Sequence, residues 1–419
     1  MPDYQNTSHW LRTAPPFSSA PTDLPARAEV VILGAGVMGS SLAYHLAAAG
    51  HSALVLERNP HPAGGATGRN GGLVVGGPAQ SYNSTRRKLG RDSARAITEL
   101  TRLNRSLITE LLARESIDAG YAVTGFVSLA AGADEAAEAQ ASAVALRADG
   151  FAAEWLDRAA AEACLGTALG PQYVGALFKP EDGVIHSARY NFGVAQAAAR
   201  RGAQFAFGTH VERVEPGPGG RGWTITTARG TVFAAQLVAT LNAWTGDLFP
   251  EIENVIVPTR GHVVLTAPVT FRIRPWSANW GWEYGRQLEN GQLLVGGMRE
   301  SRADLERGYR PPPGENAPDV QPELVASLTA FVPGHFPAAA GAPIVHHWTG
   351  LMGFTPDDQP LAGAWPGRDG LWLLAGFSGH GMPFSQVLPN ALAACLTGRP
   401  GPSLPAAFDP GRFLVSVQS

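Results

Sequence analysis

The stretch Glu29-Val-Val-Ile-Leu-Gly-Ala-Gly-Val-Met-Gly39 decides the fold of this chain. Its apolar first half ends in glycine, as a buried parallel strand does, and a helical apolar pattern follows from Val37 to Ala49. Gly50 is placed to cap that helix, and Ser52 to Glu57 is a second apolar run of strand length. Strand, helix and strand form a βαβ unit, which predicts an α/β domain with a parallel sheet.

The glycines of this stretch, at positions 34, 36 and 39, open the predicted helix. They permit a tight turn and a close backbone approach, while the helix N-terminus offers free N–H groups to a diphosphate. Glu57 lies 18 positions past Gly39, where a carboxylate can accept hydrogen bonds from ribose hydroxyls. The unit therefore predicts a dinucleotide site, and by itself it does not distinguish NAD from FAD.

A second match to the same glycine pattern, Gly217-Pro-Gly-Gly-Arg-Gly222, lies between two alternating runs, His210–Val214 and Trp223–Thr227. Two strand-like runs joined by a short Gly-rich segment are typical of a β-hairpin. We therefore predict a hairpin turn here and no separate NAD domain.

Two further Gly-rich segments resemble a known family. Gly65-Ala-Thr-Gly-Arg-Asn-Gly-Gly72 and Gly376-Phe-Ser-Gly-His-Gly-Met382 are similar to loops of the D-amino acid oxidase superfamily, which includes glycine oxidase, sarcosine oxidase and γ-glutamylputrescine oxidase. Ser8–Pro16 looks like the amino-terminal arm of the γ-glutamylputrescine oxidase-like branch, and Ala239–Thr245 looks like the strand and turn behind the adenosine. The two ends of the chain match specifically, and the middle third matches loosely.

This resemblance implies an α/β FAD-binding (glutathione-reductase-like) βαβ domain beside a second, mainly antiparallel α+β substrate domain. We expect residues 1–115, 157–250 and 345–419 to form the FAD-binding domain. Residues 116–156 and 251–344 are expected to form the substrate domain.

The implied cofactor is FAD, bound non-covalently, because neither the sarcosine oxidase cysteine near Met352 nor a histidine beside Arg69-Asn70 is present. Small residues at 65–72 let the backbone lie against a flat ring and present N–H donors to it. The residues expected to contact FAD are Gly34, Gly36, Val37, Met38, Gly39, Glu57, Arg58, Ala66, Thr67, Arg69, Asn70, Gly71, Gly72, Val211, Thr240, Trp244, Gly376, Gly379, His380, Gly381 and Met382.

The loop at 376–382 is predicted to open a helix over Pro383–Leu396, with proline in its first turn. The positive end of this helix would point at the N1/C2=O edge of the flavin, where negative charge collects on reduction. A helix terminus contributes ~0.3 to 1 kcal/mol, and up to ~2 kcal/mol when partly buried. It can therefore bias the flavin potential without driving the reaction alone.

The chemistry implied by the resemblance is oxidation of a C–N bond, in which hydride passes to flavin N5 and the imine product hydrolyses. The amine must be neutral, and an alkylammonium with a pKa near ~10.4 loses its proton more readily in an apolar, aromatic pocket. Trp280, Trp282 and Tyr284 alternate, which predicts one strand face carrying all three towards the substrate. The alternative is that these aromatics fill the core between sheet and helix.

The predicted catalytic residues are Tyr284, His380, Arg69, Trp282 and Met352. Arg69 could instead be a solvated loop arginine, and His380 a structural imidazole bonded within its loop. Met352 stands where glycine oxidase-like members carry an arginine that clamps the substrate carboxylate, so a bidentate clamp is not expected.

Arg69 or Arg286 could replace the missing clamp. The simpler prediction is a small-molecule amine whose carboxylate, if it has one, lies farther from the reacting carbon.

The electron acceptor is a separate question. Some family members use a lysine over the flavin to promote reaction with oxygen, but Lys88 and Lys179 both lie outside the predicted pocket strand, and Arg299 is at best a substitute. We expect O2 as acceptor. A dehydrogenase feeding a quinone or protein, and a non-catalytic FAD-fold binding protein, are the alternatives.

Composition excludes several other classes of protein. A formal net charge of -3 and a pI near 6.4 give no field that would attract nucleic acid or an anionic membrane. Cys164 and Cys395 lack CxxC or Cys/His spacing, so we predict buried inert thiols, no disulfide and no metal site. No export signal and no run of ~20 apolar residues is present, which predicts a soluble cytoplasmic protein without a membrane span. The oligomeric state stays open.

Overall fold

The computed structural model describes residues 7–19, 22–299, 307–309 and 322–414. The helices are α1 His9–Thr13, α2 Val37–Ala48, α3 Tyr82–Leu89, α4 Arg91–Glu115, α5 Gly132–Ala148, α6 Arg158–Leu165, α7 Ser187–Arg200, α8 Thr245–Leu248, α9 Pro322–His335, α10 Val387–Thr397 and α11 Gly411–Leu414.

The strands are β1 Arg27–Leu33, β2 Ala53–Leu56, β3 Leu73–Val74, β4 Ala122–Val123, β5 Phe126–Ala131, β6 Glu154–Asp157, β7 Tyr173–Lys179, β8 Gly183–Val184, β9 Gln204–Ala206, β10 Val211–Pro216, β11 Trp223–Thr227, β12 Gly230–Ala239, β13 Val257–Pro268, β14 Trp276–Ala278, β15 Glu283–Gln287, β16 Gln292–Gly297, β17 Ile344–Phe354, β18 Leu361–Ala364 and β19 Leu371–Ala375.

The first sheet has the order β10-β11-β12-β1-β2-β9, and β18 and β19 extend it beside β12. Strands β1 and β2 pair in parallel through α2, so the predicted βαβ unit is present. Gly50 follows this helix with a φ of +83°, the left-handed conformation that a helix C-terminus favours. Strands β10 and β11 pair antiparallel across Gly217–Gly222, which confirms the predicted hairpin.

The second sheet has the order β17-β13-β16-β15-β14-β5-β7-β6 and is antiparallel except between β14 and β5. One of its faces packs on α6 and α9 through Leu165, Leu328 and Phe331. The opposite face is turned towards the first sheet. A short sheet of β3, β8 and β4 lies apart from these two.

Two strands differ from the predicted division of the chain. Strand β7 lies within 157–250 and most of β17 within 345–419, ranges assigned to the FAD-binding domain, yet both belong to the second sheet. Strand β7 pairs with β5 and β6, while β17 pairs with β13 from Val257↔Phe354 to Thr266↔Ile344. Both strands belong to the second sheet because of these long-range pairings, which the order of residues along the chain does not reveal.

The thiols also differ from their prediction. Cys395 on α10 is exposed, and Cys164 on α6 is half-buried, where burial raises its pKa. Within the described ranges, no helix is both long and apolar enough to cross a membrane.

Gly39 shows how tightly the βαβ unit is packed. A Cβ atom at this position would overlap the carbonyl oxygen of Gly34 and lie 2.8 Å from Thr240 Oγ1. These two neighbours are hydrogen-bonded in place. Thr240 Oγ1 donates to the Leu33 carbonyl at 2.7 Å and to the Gly34 carbonyl at 3.1 Å. Helix α2 can approach β1 and β12 this closely only with glycine at position 39.

We expect Gly39→Ala to destabilise the protein by ~1 to 3 kcal/mol or more, because the added methyl overpacks this contact. The matched control is Gly334→Ala, since Gly334 is exposed on α9 and a Cβ there meets nothing within 4 Å. The control should be neutral or stabilise the helix by ~0.5 to 1 kcal/mol. Chemical denaturation of both variants checks this, and equal effects would contradict the packing argument.

Candidate active site

A cavity of about 940 Å³ lies between the two sheets. It begins beyond the carboxyl ends of β1 and β2, where open α/β sheets bind their ligands, and continues beneath the second sheet. Both Gly-rich segments at the ends of the chain line it. The fold therefore brings together the regions that the sequence singled out.

At the phosphate end, Gly34, Gly36, Val37 and Met38 line the cavity. Gly36 is the N-cap of α2 and has no side chain to cap the helix, while the Val37 N–H donates to Thr67 Oγ1 at 2.9 Å. A helix N-terminus with a glycine cap leaves room and N–H donors for a diphosphate. This end fits a dinucleotide.

Glu57 follows β2 and is 8% exposed. Its Oε2 accepts the Ala35 N–H at 2.8 Å, and its Oε1 accepts the Asn59 N–H at 2.8 Å. These bonds fix the carboxylate at the cavity wall, with lone pairs remaining for hydroxyl donors. The geometry fits the predicted contact with a ribose.

Beside Glu57, an aromatic stack lies at the end of the cavity where the adenosine is predicted. The Arg58 guanidinium carbon lies 4.1 Å from the ring centroid of Trp244, which stacks on Tyr309 at 5.0 Å. Val211 and Thr240 line the same part of the cavity. Flat, weakly hydrated surfaces of this kind suit an adenine ring.

The loop at 65–72 is held from within by Asn70. Its Oδ1 accepts the Gly72 N–H at 2.8 Å, and its Nδ2 donates to the Thr67 carbonyl at 2.9 Å. Ala66 begins a one-turn 3₁₀ helix, Ala66–Gly68, that lines the cavity with Gly71. The loop is therefore a rigid wall.

Helix α1 braces this loop from outside. Trp10, 2% exposed, donates its indole N–H to the Asn70 carbonyl at 2.6 Å, and Ser8 Oγ donates to the Gly68 carbonyl. The sequence reasoning missed both residues, although the Ser8–Pro16 motif contained them. The arm thus fixes the backbone of the loop predicted to face the flavin.

Arg69 lines the cavity but is committed to the main chain. Its Nε donates to the Gly64 carbonyl at 3.1 Å and its Nη1 to the Thr349 carbonyl at 2.9 Å. The side chain therefore ties the loop to β17, which matches neither a solvated arginine nor a free carboxylate clamp.

Arg286 is 7% exposed and lies outside the cavity wall. Its Nη1 donates to the carbonyls of Gly72 and Ile185 at 2.9 and 3.1 Å, and burial lowers its pKa to about 10. Its position gives no support to a role in binding a substrate carboxylate.

The loop at 376–382 bridges the two sheets. The Gly376 N–H donates to Asn242 Oδ1 at 3.0 Å, and the Ser378 N–H donates to the Gly353 carbonyl of β17 at 2.8 Å. A Cβ on Gly379 would lie 3.4 Å from Met352 Sδ. The C-terminal loop and β17 therefore meet at the cavity.

The helix predicted from Pro383 begins instead at Val387. Met382–Phe384 is a separate 3₁₀ turn, and Asn104 Oδ1 accepts the N–H groups of Gln386 and Val387 at 2.7 and 3.0 Å. Asn104, fully buried on α4, caps α10 at this point. These two N–H groups at the N-terminus of α10 are thus satisfied by protein.

His380 donates its Nε2–H to the Gly77 carbonyl at 3.0 Å. Burial, with a smaller contribution from Lys179, lowers the pKa of His380 to about 4. The ring is neutral near neutral pH, and since a carbonyl only accepts, Nδ1 is the unprotonated nitrogen. His380 can therefore accept a hydrogen bond on the cavity side of its loop.

The predicted strand face of three aromatics is wrong. Strand β15 begins at Glu283, and Trp280 lies in the one-turn helix Asn279–Gly281, with Trp282 directly after it. Asn279, Trp280 and Gly281 have φ values of +49°, +58° and +88°, which break the strand.

Trp280 and Trp282 are 60% and 36% exposed, so they do not fill the core either. Both still line the cavity, at its rim.

Tyr284 alone of the three points inwards from a strand. A Cβ on Gly71 would lie 2.8 Å from Tyr284 Cε2, and one on Gly296 would lie 2.5 Å from its Cζ. Burial raises the pKa of the phenol, which stays protonated. The ring thus packs directly against the loop that is predicted to face the flavin.

Of the predicted cofactor residues, Gly39, Gly72 and Gly376 lie behind the cavity wall. Gly72 and Gly376, like Gly39, lack room for a side chain, with the Ile185 carbonyl and Thr355 as their neighbours. The other predicted site residues line the cavity. Their individual roles remain predictions.

These contacts place the chain in a class of two-sheet proteins that bind a dinucleotide at the edge of a βαβ unit. The family model described as FAD dependent oxidoreductase (DAO) matches residues 29–393, and the chain belongs to that family. The predictions of the fold, of FAD as cofactor and of an oxidoreductase are thereby confirmed.

Curated relatives share about a quarter of their residues with this chain. γ-Glutamylputrescine oxidoreductase of Escherichia coli (strain K12) is 26% identical, over 88% of this chain and 84% of its own length. D-Amino acid dehydrogenase of Cereibacter sphaeroides is 25% identical, over 88% and 92%. 4-Methylaminobutanoate oxidase (formaldehyde-forming) of Paenarthrobacter nicotinovorans is 26% identical, over 90% of this chain but 45% of its own length.

Solved structures show the same fold. Glycine oxidase from Geobacillus kaustophilus superposes with a TM-score of 0.76 at 24% identity, covering 92% of this chain and 98% of its own. L-Proline dehydrogenase from P. horikoshii gives a TM-score of 0.77 at 21% identity, covering 94% and 99%. The two-sheet architecture is therefore shared with these solved structures.

We expect Trp10→Phe to weaken FAD binding roughly two- to tenfold, because the ring still packs but the hydrogen bond to Asn70 is lost. The dissociation constant can be measured by flavin fluorescence during titration of the apoprotein. Trp155→Phe, on β6 of the second sheet, is the control and should bind FAD as the wild type does. Unchanged FAD affinity in Trp10→Phe would show that the hydrogen bond from Trp10 to Asn70 does not contribute to FAD binding.

Proposed function

We propose that this protein oxidises the C–N bond of an amine, most readily a secondary amine, and passes the electrons to O2. The observation that carries the proposal is the wall facing the Gly65–Gly72 loop, where the Tyr284 ring packs and Met352, rather than an arginine, lines the cavity. Bound FAD supplies the hydride acceptor.

The side chains around Tyr284 support a neutral amine as the reacting form. Tyr284 is a protonated phenol, His380 a neutral imidazole, and the Arg69 guanidinium is bonded to main-chain carbonyls. The positive charge of Arg299 acts on Tyr284. Desolvation and a neighbouring cation both disfavour an ammonium and favour its loss of a proton.

The activities for which two relatives are named support the same substrate class. One is an oxidase of 4-methylaminobutanoate, a compound whose carboxylate is remote from its methylamino group. The absence of an arginine at position 352 agrees with such a substrate. We therefore place any substrate carboxylate away from the reacting carbon.

The direct test is anaerobic titration of the purified, FAD-loaded protein with amines, N-methyl amino acids and D-amino acids. We expect a fitting amine to bleach the flavin absorbance, and acid to release the flavin from the protein. A spectrum unchanged by the whole panel would overturn the amine proposal.

The acceptor is tested separately by the yield of hydrogen peroxide under air. We expect one peroxide for each amine oxidised. Because relatives named dehydrogenases also match, a dehydrogenase is the second candidate. Flavin reduced by amine but reoxidised only by a quinone or protein acceptor would favour it.

We expect Met352→Arg to raise kcat/KM for sarcosine, relative to N-methylpropylamine, by about tenfold or more, because a charge-assisted bidentate pair with carboxylate becomes possible. Met352→Leu keeps the volume without the charge and should leave the ratio unchanged. Steady-state kinetics with both substrates measures it. An equal change in both variants would show that the residue acts only by its shape.

A further inference from the structure

The cavity continues beyond Tyr284 along the second sheet. Tyr284 pairs across the strands with Ser277, Ser277 with Ser128, and Ser128 with Leu177, and all four line the cavity. Neighbouring strands lie about 4.8 Å apart, so the two serines lie roughly 5 and 10 Å from Tyr284. Short hydroxyl side chains thus line one wall of a branch of the cavity, here called a limb. This limb leads away from the proposed reaction site.

Helix α5 covers this limb on the side opposite the sheet. The helix packs on β5 and β7, and Glu135, Ala139 and Ser142 line the cavity from it. We use the name distal limb for the space bounded by Ser128, Ser277, Glu135 and Trp280. It has polar walls, unlike the surroundings of Tyr284.

Glu135 carries an uncompensated charge in this limb. Its Oε2 accepts the Ala131 N–H at 3.2 Å, and the backbone of Trp280 is close enough to lower its pKa, but no described Lys, Arg or His pairs with it. Burial, and then the nearby Glu283, raise the pKa of Glu135. A half-buried carboxylate without a cation is stabilised by a ligand that supplies one.

The other charges that line this part of the cavity do not neutralise Glu135. Glu138 and Arg87 form an ion pair at 2.9 Å. Arg299 lies over the rings of Trp282 and Phe354, at 4.5 and 5.1 Å, and its positive charge lowers the pKa of Glu283 and of Tyr284. The charge that acts on Glu135 is that of Glu283, which is also an acid, so a cation is favoured beside Glu135.

Trp280 completes the limb at its mouth. Its φ of +58° is a costly conformation for a bulky side chain. Glu283 holds the turn by accepting the Asn279 side-chain N–H at 2.6 Å, and the Trp280 backbone lies close enough to Glu135 to lower the pKa of that carboxyl. The turn presents an indole that is 60% exposed, and an indole face attracts cations.

We propose that the distal limb binds a second, positively charged group of the substrate, an alkylammonium held between the Glu135 carboxylate and the Trp280 indole. The substrate would then be a diamine-like compound, with its reacting C–N bond at Tyr284 and its ammonium roughly 5 to 10 Å away, by the strand spacing. This rests on the proposed function for the reacting end only.

Three probes of equal chain length test the proposal on the FAD-loaded protein: N-methylputrescine, N-methylpentylamine and 5-methylaminopentanoate. They differ at the distal end, which is an ammonium, a methyl or a carboxylate. Anaerobic calorimetry on the protein with its flavin already reduced measures binding without turnover, and bleaching of the oxidised flavin measures the reaction. We expect N-methylputrescine to bind about tenfold or more tightly than the neutral probe, and the carboxylate probe to bind weakest.

Glu135→Gln should abolish this preference, because the amide keeps an acceptor for the Ala131 N–H but loses the charge. Asp134→Asn is the control, since it removes the same charge from the neighbouring, exposed position on α5, and it should keep the preference. Unfolding temperature and FAD affinity of both variants confirm that the fold is intact.

Three outcomes would each overturn the proposal of an ammonium site in the distal limb. They are equal binding of the three probes, a preference for the carboxylate probe, and an unchanged preference in Glu135→Gln. Failure of the proposed function is distinguishable from these outcomes. In that case no probe bleaches the flavin, whereas calorimetry still reports whether the ammonium probe is preferred and lost in Glu135→Gln.

Discussion

Strand β12 is the constraint on which the rest of the structure depends. Strands β1 and β19 both pair with it in parallel, although they lie near opposite ends of the chain. Parallel strands end at the same edge of a sheet, so the turn at Gly34 and the loop at Gly376 must face one cavity. Asn242, just past β12, accepts the Gly376 N–H and joins these parts.

The two ends of the cavity differ in charge. At Tyr284 the phenol is protonated and the positive charge of Arg299 acts on it, whereas the distal limb holds the Glu135 carboxylate. This difference suits a single substrate molecule whose two ends differ in charge. Its reacting end must lose a proton, and its other end can keep a charge.

Local patterns predicted the local parts of this fold. The βαβ unit and the hairpin at Gly217–Gly222 depend on neighbouring residues, so periodicity and glycine placement were sufficient for them. Family resemblance then brought most of the predicted cofactor residues to the cavity wall.

What the sequence did not predict depends on distant partners or on unusual backbone conformations. The start of α10 is set by Asn104, some 280 positions away in the chain, and the membership of β7 and β17 by pairing with distant strands. The turn at Trp280 required positive φ at non-glycine residues, which an alternating aromatic pattern conceals. Glu135 gave no signal because helix α5 offers many similar surface positions.

The pairing of β19 with β12 also has a consequence for synthesis of the chain. Ribosomes release the glycine turn at 34–39 long before β19 and the loop at 376–382. Domains generally fold as units during translation. Here the cavity beside the βαβ unit cannot close until β19 has emerged and paired with β12, so FAD cannot be fully enclosed before that point of synthesis.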